Sequence, residues 1–187
     1  MSPLLVLTDR HQCAHPLEAT VAIAVDKGAR LVVLREKDLP DGERQALARR
    51  LHPVVAAAGG RLLLAGPAPG PDGRHLAAAD PMPRDPSGLV GRSCHTPGEI
   101  ATAAAEGVHY ATLSPVFPSA SKPGDRRAPV LSALAHDYAI PVFALGGVDS
   151  PQKAGACVRE GAYGVAVMGA AMRHPEIVAD LLAAVRP

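Results

Sequence analysis

Two serines and a lysine that lie close together in the sequence could bind an anion. Ser119, Ser121 and Lys122 follow an apolar run at residues 110–113 and lie in a loop interrupted by prolines. Serine hydroxyls donate hydrogen bonds, and the lysine ammonium adds charge and three donors, a set suited to phosphate or pyrophosphate. An apolar run that stops at such a loop is typical of a buried strand delivering side chains at its C-terminal end. On its own the stretch is slightly better explained as a solvated loop, so the rest of the chain has to decide.

The composition excludes several classes of protein. The chain has 187 residues, of which 48% are hydrophobic and only 3% aromatic, so alanine, valine and leucine must fill the core. The net charge of +1 gives no reason to expect a nucleic acid or a membrane surface as a partner. No apolar run approaches the roughly 20 residues of a membrane span, and the N-terminus lacks the features of a signal peptide. We therefore expect one cytoplasmic domain over residues 1–187, with small molecules as its partners.

A recurring pattern predicts the fold. Five times, a glycine is followed within a few residues by a short, continuous apolar run. Glycine suits the left-handed residue that ends a helix, and a continuous apolar run suits a strand covered on both faces. Helix, glycine and buried strand in repetition indicate βα units and a parallel sheet. With the remaining runs, eight strands are predicted, at residues 4–8, 31–34, 62–65, 74–76, 89–92, 110–113, 140–145 and 164–168.

Helices are predicted between most of these strands. We expect Asp41 to cap the second helix, with a kink or restart at Pro53, and Thr96 to open a capping box. Segments 66–73 and 81–87 are too short and too rich in proline and glycine for full helices. The prediction is a (β/α)8 TIM barrel with helices 3 and 4 shortened or missing. Such gaps would expose apolar strand surface, which a second copy of the chain could cover as a homo-oligomer.

The C-terminal ends of the strands are where such barrels place their active sites. Glycines after strands seven and eight, at Gly146, Gly147 and Gly169, fall where barrels commonly hold a phosphate on backbone N–H groups. Polar and charged side chains are also predicted at these strand ends: Asp9, Arg35, Lys37, Asp80, Ser93, His95, Ser119, Ser121 and Lys122.

Seven short motifs, in this order, resemble the thiamine-phosphate synthase/TenI family. Singly each is weak, but together they span nearly the whole chain. The family fold is a (β/α)8 barrel, which agrees with the strand count. The motifs are Leu-Thr-Asp-Arg at 7–10, Leu-Arg-Glu-Lys at 34–37, His-Leu…Asp at 75–80, Gly-Arg-Ser-Cys-His-Thr at 91–96, Pro-Val-Phe-Pro-Ser-Ala-Ser-Lys at 115–122, Ala-Leu-Gly-Gly-Val at 144–148 and Gly-Val-Ala-Val-Met-Gly at 164–169.

The resemblance implies a reaction and a set of roles. The family synthase joins hydroxymethylpyrimidine pyrophosphate to thiazole phosphate through a pyrimidine carbocation, and pyrophosphate leaves. Cations and Mg²⁺ must meet the charge on the leaving group as the bond breaks. By resemblance, Arg35, Lys37 and Lys122 would hold pyrophosphate, Asp80 would hold Mg²⁺, and Ser93 would lie near the pyrimidine and the pyrophosphate. Ser119 and Ser121 would lie near the thiazole, and backbone N–H groups at Gly146, Gly147, Met168 and Gly169 would hold its phosphate.

The sequence departs from the synthase pattern at several positions. Val33 replaces a glutamine that would bond the pyrimidine, and Ala65-Gly66 replaces Asn-Asp, so one usual metal ligand is missing. Mg²⁺ can be held by one or two carboxylates plus substrate phosphates, so Asp80 could suffice, but weakly. Ala77-Ala78 replaces Gly-Gln, and Gly169 replaces a serine but keeps its N–H.

Two alternative functions stay open at this point. The TenI branch is a thiazole tautomerase that needs no metal, and Gly-Arg-Ser-x-His at 91–95 looks more like that branch. Its catalytic histidine is Pro115 here, and Lys37 and Asp80 would have no evident role in it. His95 could shuttle protons near neutral pH. A non-catalytic binder of thiazole or thiamine phosphate is the third possibility.

Several of these residues also have plain structural explanations. Arg35 and Lys37 could form a surface ion pair with Glu36, and Asp80 could be a turn residue. His95 could only help to order a loop, and His75 could be a satisfied strand histidine. Three widely spaced cysteines, Cys13, Cys94 and Cys157, indicate reduced thiols rather than disulfides, and we expect Cys94 to be buried rather than nucleophilic.

Overall fold

Parallel strands that close on themselves organise the chain. The computed structural model describes residues 1–84, 86–118 and 131–186. Each strand pairs with the next in the sequence, and the last pairs with the first, so the predicted TIM barrel is confirmed. The strands are β1 (Leu4–Leu7), β2 (Leu31–Leu34), β3 (Arg61–Ala65), β4 (Gly73–Leu76), β5 (Leu89–Cys94), β6 (Tyr110–Leu113), β7 (Val142–Leu145) and β8 (Gly164–Val167).

Helices surround most of the barrel. The glycines that end α1, α3 and α4 have positive φ angles, +107° at Gly28, +85° at Gly107 and +106° at Gly161, as the pattern predicted. The helices are α1 (Leu17–Asp26), α2 (Asp41–Ala57), α3 (Pro97–Ala105), α4 (Pro151–Arg159), α5 (Gly169–Arg173) and α6 (Ile177–Val185), with short 3-10 helices at Arg10–Gln12 and Leu131–Ala135.

The core has two shells because every strand is covered on both faces. One shell fills the barrel and includes Leu5, Val33, Leu63, Tyr110 and Phe143. The other lies between the strands and the helices. Successive strand residues point to opposite faces, so continuous apolar runs serve both shells at once. This explains why the strand positions could be predicted from the sequence.

No helix connects β3 to β4 or β4 to β5 in the described part of the chain, as predicted. The expectation of exposed apolar strand surface there is nevertheless wrong, because Leu62, Leu64, Leu76 and Val90 are all fully buried. Two arginines that point outward from β4 and β5 are themselves buried here: Arg74 donates from Nη1 to the Pro67 carbonyl at 2.8 Å, and Arg92 pairs with Glu106. A homo-oligomer therefore stays a prediction without this support.

Local expectations were wrong at three places. Asp41 does not cap α2: Pro40 occupies the cap position, and the Asp41 carboxylate accepts a hydrogen bond from Arg44 Nη2 at 2.6 Å. The helix also continues through Pro53, so the restart expected there is wrong, while the kink that was the other expectation stays a prediction. The seventh strand begins only at Val142, because Pro141 precedes it. Among the described residues, no helix is long and apolar enough to cross a membrane.

Candidate functional site at the barrel mouth

A histidine, a tyrosine and a serine form a hydrogen-bonded chain from the barrel interior to its mouth. His75 of β4 lies with Nδ1 2.9 Å from the Tyr110 hydroxyl and with Nε2 3.0 Å from Ser93 Oγ. Both rings are buried, whereas Ser93 is half-buried at the end of β5. The chain thus ends on a hydroxyl that a ligand in the mouth can reach.

The Tyr110 ring fits because β5 carries a glycine beside it. A Cβ atom at Gly91 would lie 2.1 Å from Tyr110 Cζ, so any side chain there would displace the ring. Burial and then the charge of Lys37 lower the pKa of His75 to about 3, and burial raises the pKa of Tyr110. Both groups are therefore neutral near pH 7. His75 is a satisfied strand histidine, as expected, but one of its two partners is a predicted site residue.

The cationic rim, defined as Arg35, Glu36 and Lys37, follows β2. Arg35 and Glu36 come directly after β2, and Lys37 lies in the turn that follows, so the placement of both cations at the mouth stays a prediction. Glu36 is only 2% exposed, and its carboxylate accepts hydrogen bonds from Thr8 Oγ1 at 2.7 Å and from Arg10 Nη1 at 3.1 Å. Thr8 Oγ1 in turn accepts from the Arg35 N–H at 3.0 Å. Glu36 is thus a buried anchor of the rim.

Arg10 extends this network to the surface. Its guanidinium also pairs with the exposed carboxylate of Asp38, which the His11 ring approaches at 3.1 Å. The hydrogen bonds from Arg10 and His11 hold the pKa of Asp38 well below its usual range. An open groove of about 630 Å³ begins beside Arg10 and runs between α1 and α2. It lies outside the barrel and contains none of the predicted site residues, so we assign no part of the reaction to it.

Asp80 closes a turn beyond β4. Its carboxylate Oδ2 accepts the Ala77 N–H at 2.7 Å, and Arg92 Nη1 donates to the carbonyl oxygens of Asp80 at 2.7 Å and Ala78 at 3.1 Å. The structural explanation is therefore correct, while the predicted metal role stays a prediction. In residues 1–84, 86–118 and 131–186, no three His, Cys, Asp or Glu side chains gather around a possible metal position. Among the described residues the recorded contact of this carboxylate is made by Oδ2, so Asp80 would fit Mg²⁺ only as one ligand beside substrate oxygens.

His95 connects the ends of β5 and β6. Its Nδ1 lies 2.8 Å from the Ser114 carbonyl oxygen, so Nδ1 carries the proton and donates when the ring is neutral. The backbone N–H of His95 donates to the Glu99 carboxylate at 2.6 Å, while Thr96 caps α3 as predicted. This geometry supports the loop-ordering explanation and leaves Nε2 as an acceptor, so the acid–base role stays a prediction.

The glycine rim, defined as Gly146, Gly147, Met168 and Gly169, follows β7 and β8. Gly146 and Gly147 have φ angles of +100° and +68°. A Cβ at Gly147 would lie 2.5 Å from the Pro118 carbonyl oxygen, so the loop after β6 packs directly on this backbone. A side chain is thus excluded at Gly147, one of the positions where the sequence predicts a phosphate held by backbone N–H groups.

Arg173 is a residue that the sequence analysis missed. A Cβ at Gly169 would meet Gln12 Oε1 at 2.5 Å and Arg173 Nη1 at 2.8 Å, so these two side chains occupy the space left by the glycine. Arg173 Nη1 donates to Gln12 Oε1 at 3.0 Å, and Gln12 Nε2 donates to Asp9 at 2.7 Å. The only available signal was the replacement of the family serine by Gly169, since nothing in the sequence joins residues 12 and 173.

Three predicted site residues cannot be placed. Ser119, Ser121 and Lys122 lie outside the described residues, and their roles stay predictions. The cysteines can be placed: burial raises the pKa of the Cys94 and Cys157 thiols to about 11, and all three cysteines are free. Cys94 is fully buried, as expected for a packing residue rather than a nucleophile.

The fold and its rims define a (β/α)8-barrel protein with cations after β2 and close-packed glycine backbone after β7 and β8. The thiamine monophosphate synthase family model matches residues 4–171. A Geobacter sulfurreducens protein named "Putative thiamine-phosphate synthase" is 38% identical over 190 residues, covering 92% of this chain and 88% of that protein. The thiamine-phosphate synthase of Roseiflexus castenholzii is 32% identical over 188 residues, covering 91% and 81%.

A solved structure agrees in fold. Thiamine phosphate pyrophosphorylase from Pyrococcus furiosus matches with a TM-score of 0.83 and 24% identity, over 98% of this chain and 95% of that chain. The chain belongs to the thiamine monophosphate synthase family.

Proposed function

We propose that this protein is a thiamine-phosphate synthase, a transferase that joins hydroxymethylpyrimidine pyrophosphate to thiazole phosphate and releases pyrophosphate. The observation that carries the proposal is the half-buried hydroxyl of Ser93 at the C-terminal end of β5, hydrogen-bonded to a histidine on which one lysine charge acts. Lys37 lies close enough to lower the pKa of His75, and His75 bonds directly to Ser93. The family relatives named above support the synthase over the tautomerase and over a non-catalytic binder.

Pyrophosphate would be held by the cationic rim. Breaking the carbon–oxygen bond leaves negative charge on the departing pyrophosphate and positive charge on the pyrimidine methylene. Arg35 and Lys37 would stabilise the first charge, together with Lys122. Because Glu36 anchors the backbone between the two cations, the rim needs little rearrangement when charge develops. Ser93 would donate a hydrogen bond to the pyrophosphate beside the pyrimidine.

The glycine rim would bind the phosphate of the thiazole. Backbone N–H groups at Gly146, Gly147, Met168 and Gly169 would donate to it, and Ser119 and Ser121 would line the thiazole side. The Arg173 guanidinium lies against Gly169 and can add the charge that a backbone N–H lacks. This would compensate for the serine hydroxyl that Gly169 does not have.

Mg²⁺ would be held by Asp80 and by pyrophosphate oxygens. A magnesium ion bound there supplies positive charge to the leaving group. Asp80 is fixed by its own turn and by Arg92, so its carboxylate is oriented before any ion binds. With one protein carboxylate, we expect weak magnesium binding unless the pyrophosphate substrate is present. His95 would order the β5–β6 rim, and we place the enzyme, as one domain, in the cytoplasm.

The decisive experiment is pyrophosphate release with both substrates, with and without Mg²⁺. The proposal expects release that requires both substrates and rises with Mg²⁺. Release from the pyrimidine substrate alone would indicate a hydrolase instead. No release, with the thiazole phosphate still isomerised, would overturn the proposal in favour of the tautomerase. Binding of thiazole phosphate without either reaction would indicate the binder.

A further inference from the structure

We propose that His75 is a positioning residue that directs the Ser93 O–H bond into the barrel mouth, so that Ser93 acts there as a hydrogen-bond donor. The proposal rests on the proposed function only for the identity of the acceptor, the pyrophosphate of the pyrimidine substrate. The geometry of the buried chain, Tyr110–His75–Ser93, is independent of that assignment.

The direction of each hydrogen bond follows from the buried phenol. Tyr110 is fully buried, and the one acceptor that contacts its hydroxyl in the described structure is His75 Nδ1, at 2.9 Å. A phenol that accepted from Nδ1–H would leave its own O–H unpaired, which costs about 1–3 kcal/mol in a buried site. Tyr110 therefore donates to Nδ1. A neutral imidazole has one donor and one acceptor, so the proton lies on Nε2.

Ser93 receives the second hydrogen bond of the chain. His75 Nε2–H donates to Ser93 Oγ at 3.0 Å, and this leaves the serine proton without an internal acceptor among the described residues. Ser93 is half-buried at the C-terminal end of β5, so its proton is free to point toward the mouth. An anion in the mouth would accept it. A serine whose oxygen already accepts from Nε2–H cannot lose its proton to the same nitrogen, so this pair is not a nucleophile and base.

His75 keeps this role over a wide pH range. The ring lies inside the barrel among Tyr110, Ser93 and apolar side chains, and Lys37 is the charged group that acts on it. Desolvation and the like charge both disfavour the imidazolium, which would break the chain by placing a proton on Nδ1. The hydrogen bond to Ser93 should thus be insensitive to pH in the neutral range.

The first test is nitrogen NMR on the wild-type protein labelled at histidine, with His75→Gln used to assign the ring signals. We expect the Nε2–H form of a neutral ring, unchanged between pH 8 and pH 5. Tyr110→Phe removes the donor to Nδ1 and should shift the ring toward a mixture of tautomers. An Nδ1–H ring in the wild type, or a titration near neutrality, would overturn the proposal even if the enzyme is fully active.

The second test is kinetic. Glutamine at position 75 offers an acceptor and a donor in similar places, so His75→Gln should keep most of the activity while His75→Leu should lose about 10-fold in kcat/KM. Because His75 acts through Ser93, the double variant His75→Leu/Ser93→Ala should be no slower than Ser93→Ala alone. Additive losses would show that His75 contributes only to packing. Tyr163→Phe removes an exposed phenol on the opposite end of β8 and should leave activity unchanged.

A third measurement uses stability and needs no activity. The pKa of His75 is lowered in the folded protein, so the unfolded chain binds one more proton between about pH 3 and pH 6.5. Stability therefore falls as pH falls through that window, by up to about 1.4 kcal/mol per pH unit for this proton. In His75→Gln, the urea midpoint should not show the part of this fall with pH that His75 causes. Equal pH slopes in both proteins would contradict a buried neutral ring. If wild-type protein releases no pyrophosphate, the NMR and stability results still decide on the chain.

Discussion

The two rims of the barrel mouth are built in opposite ways. The cationic rim would contact its ligand through side chains. The buried carboxylate of Glu36 fixes the backbone segment that carries them. The glycine rim works through the absence of side chains, since a Cβ at Gly147 would collide with the Pro118 carbonyl. A rim of the first kind offers full charges to a ligand. A rim of the second kind offers backbone N–H groups at close range.

This difference matches the chemistry proposed for each rim. A leaving pyrophosphate gains charge during the reaction, so fixed cations accelerate the step itself. The thiazole phosphate keeps its charge throughout and needs only to be held in place. We therefore expect substitutions in the cationic rim to lower kcat and substitutions in the glycine rim to raise KM.

The largest effect is expected for Arg35→Ala. Removing a cation that meets developing charge should lower kcat by about 100-fold or more, with a smaller change in KM for either substrate. The measurement is steady-state pyrophosphate release. Arg61→Ala is the matched control, because Arg61 is an exposed arginine at the start of β3, at the end of the barrel away from the mouth. Equal losses in both variants would mean that Arg35 has no special place in the site.

The anchor of the cationic rim can be tested by Glu36→Gln, which keeps the shape and removes the charge. We expect the free energy of unfolding to fall by about 2 kcal/mol, because hydrogen bonds to a buried carboxylate are lost. Urea denaturation with an unchanged m-value would measure it. Asp38→Asn removes the exposed carboxylate that shares Arg10 and should cost clearly less stability than Glu36→Gln, because solvent screens an exposed ion pair. A larger loss of stability in Asp38→Asn than in Glu36→Gln would mean that the exposed ion pair, and not the buried carboxylate, holds this rim in place.

The strands could be predicted from the sequence because both faces of each are buried. At β2 and β6 the apolar runs and the observed strands coincide, and the scarcity of helices between β3 and β5 followed from the prolines and glycines. At the mouth, the position of Arg35 directly after a strand could be predicted because the end of an apolar run is a local property of the sequence, while its role stays a prediction.

Contacts between distant residues could not be predicted in this way. His75, Ser93 and Tyr110 come from three strands, and their meeting depends on the barrel register and on the space above Gly91. The Asp41 cap failed for a local reason, because Pro40 already holds an extended backbone and takes the cap position. For Glu36 the sequence offered only its neighbours as possible ion-pair partners, whereas its observed partners, Thr8 and Arg10, follow β1.

The glycine rim can be tested by Gly147→Ala against Gly107→Ala. Both residues have positive φ, so each alanine carries a left-handed cost of about 1–2 kcal/mol. Only at position 147 must backbone also move, because the Cβ at Gly107 meets nothing within 4 Å. We expect KM for thiazole phosphate to rise about 10-fold in Gly147→Ala and to stay near wild type in Gly107→Ala. Similar KM values would show that the close packing does not shape the phosphate site.

The smallest expected effect concerns the single charge that we add to the glycine rim. Arg173 is exposed and its described partner is the neutral Gln12, so Arg173→Ala should raise KM for thiazole phosphate only about 3- to 10-fold, the range of one partly solvated charge–phosphate contact. Competitive inhibition by inorganic phosphate against that substrate should weaken by the same factor. Arg159→Ala, an exposed arginine at the end of α4, is the control. If Arg173→Ala instead lowers kcat and leaves phosphate inhibition unchanged, Arg173 acts on the leaving pyrophosphate. The proposed difference between the two rims, kcat effects in one and KM effects in the other, would then be wrong.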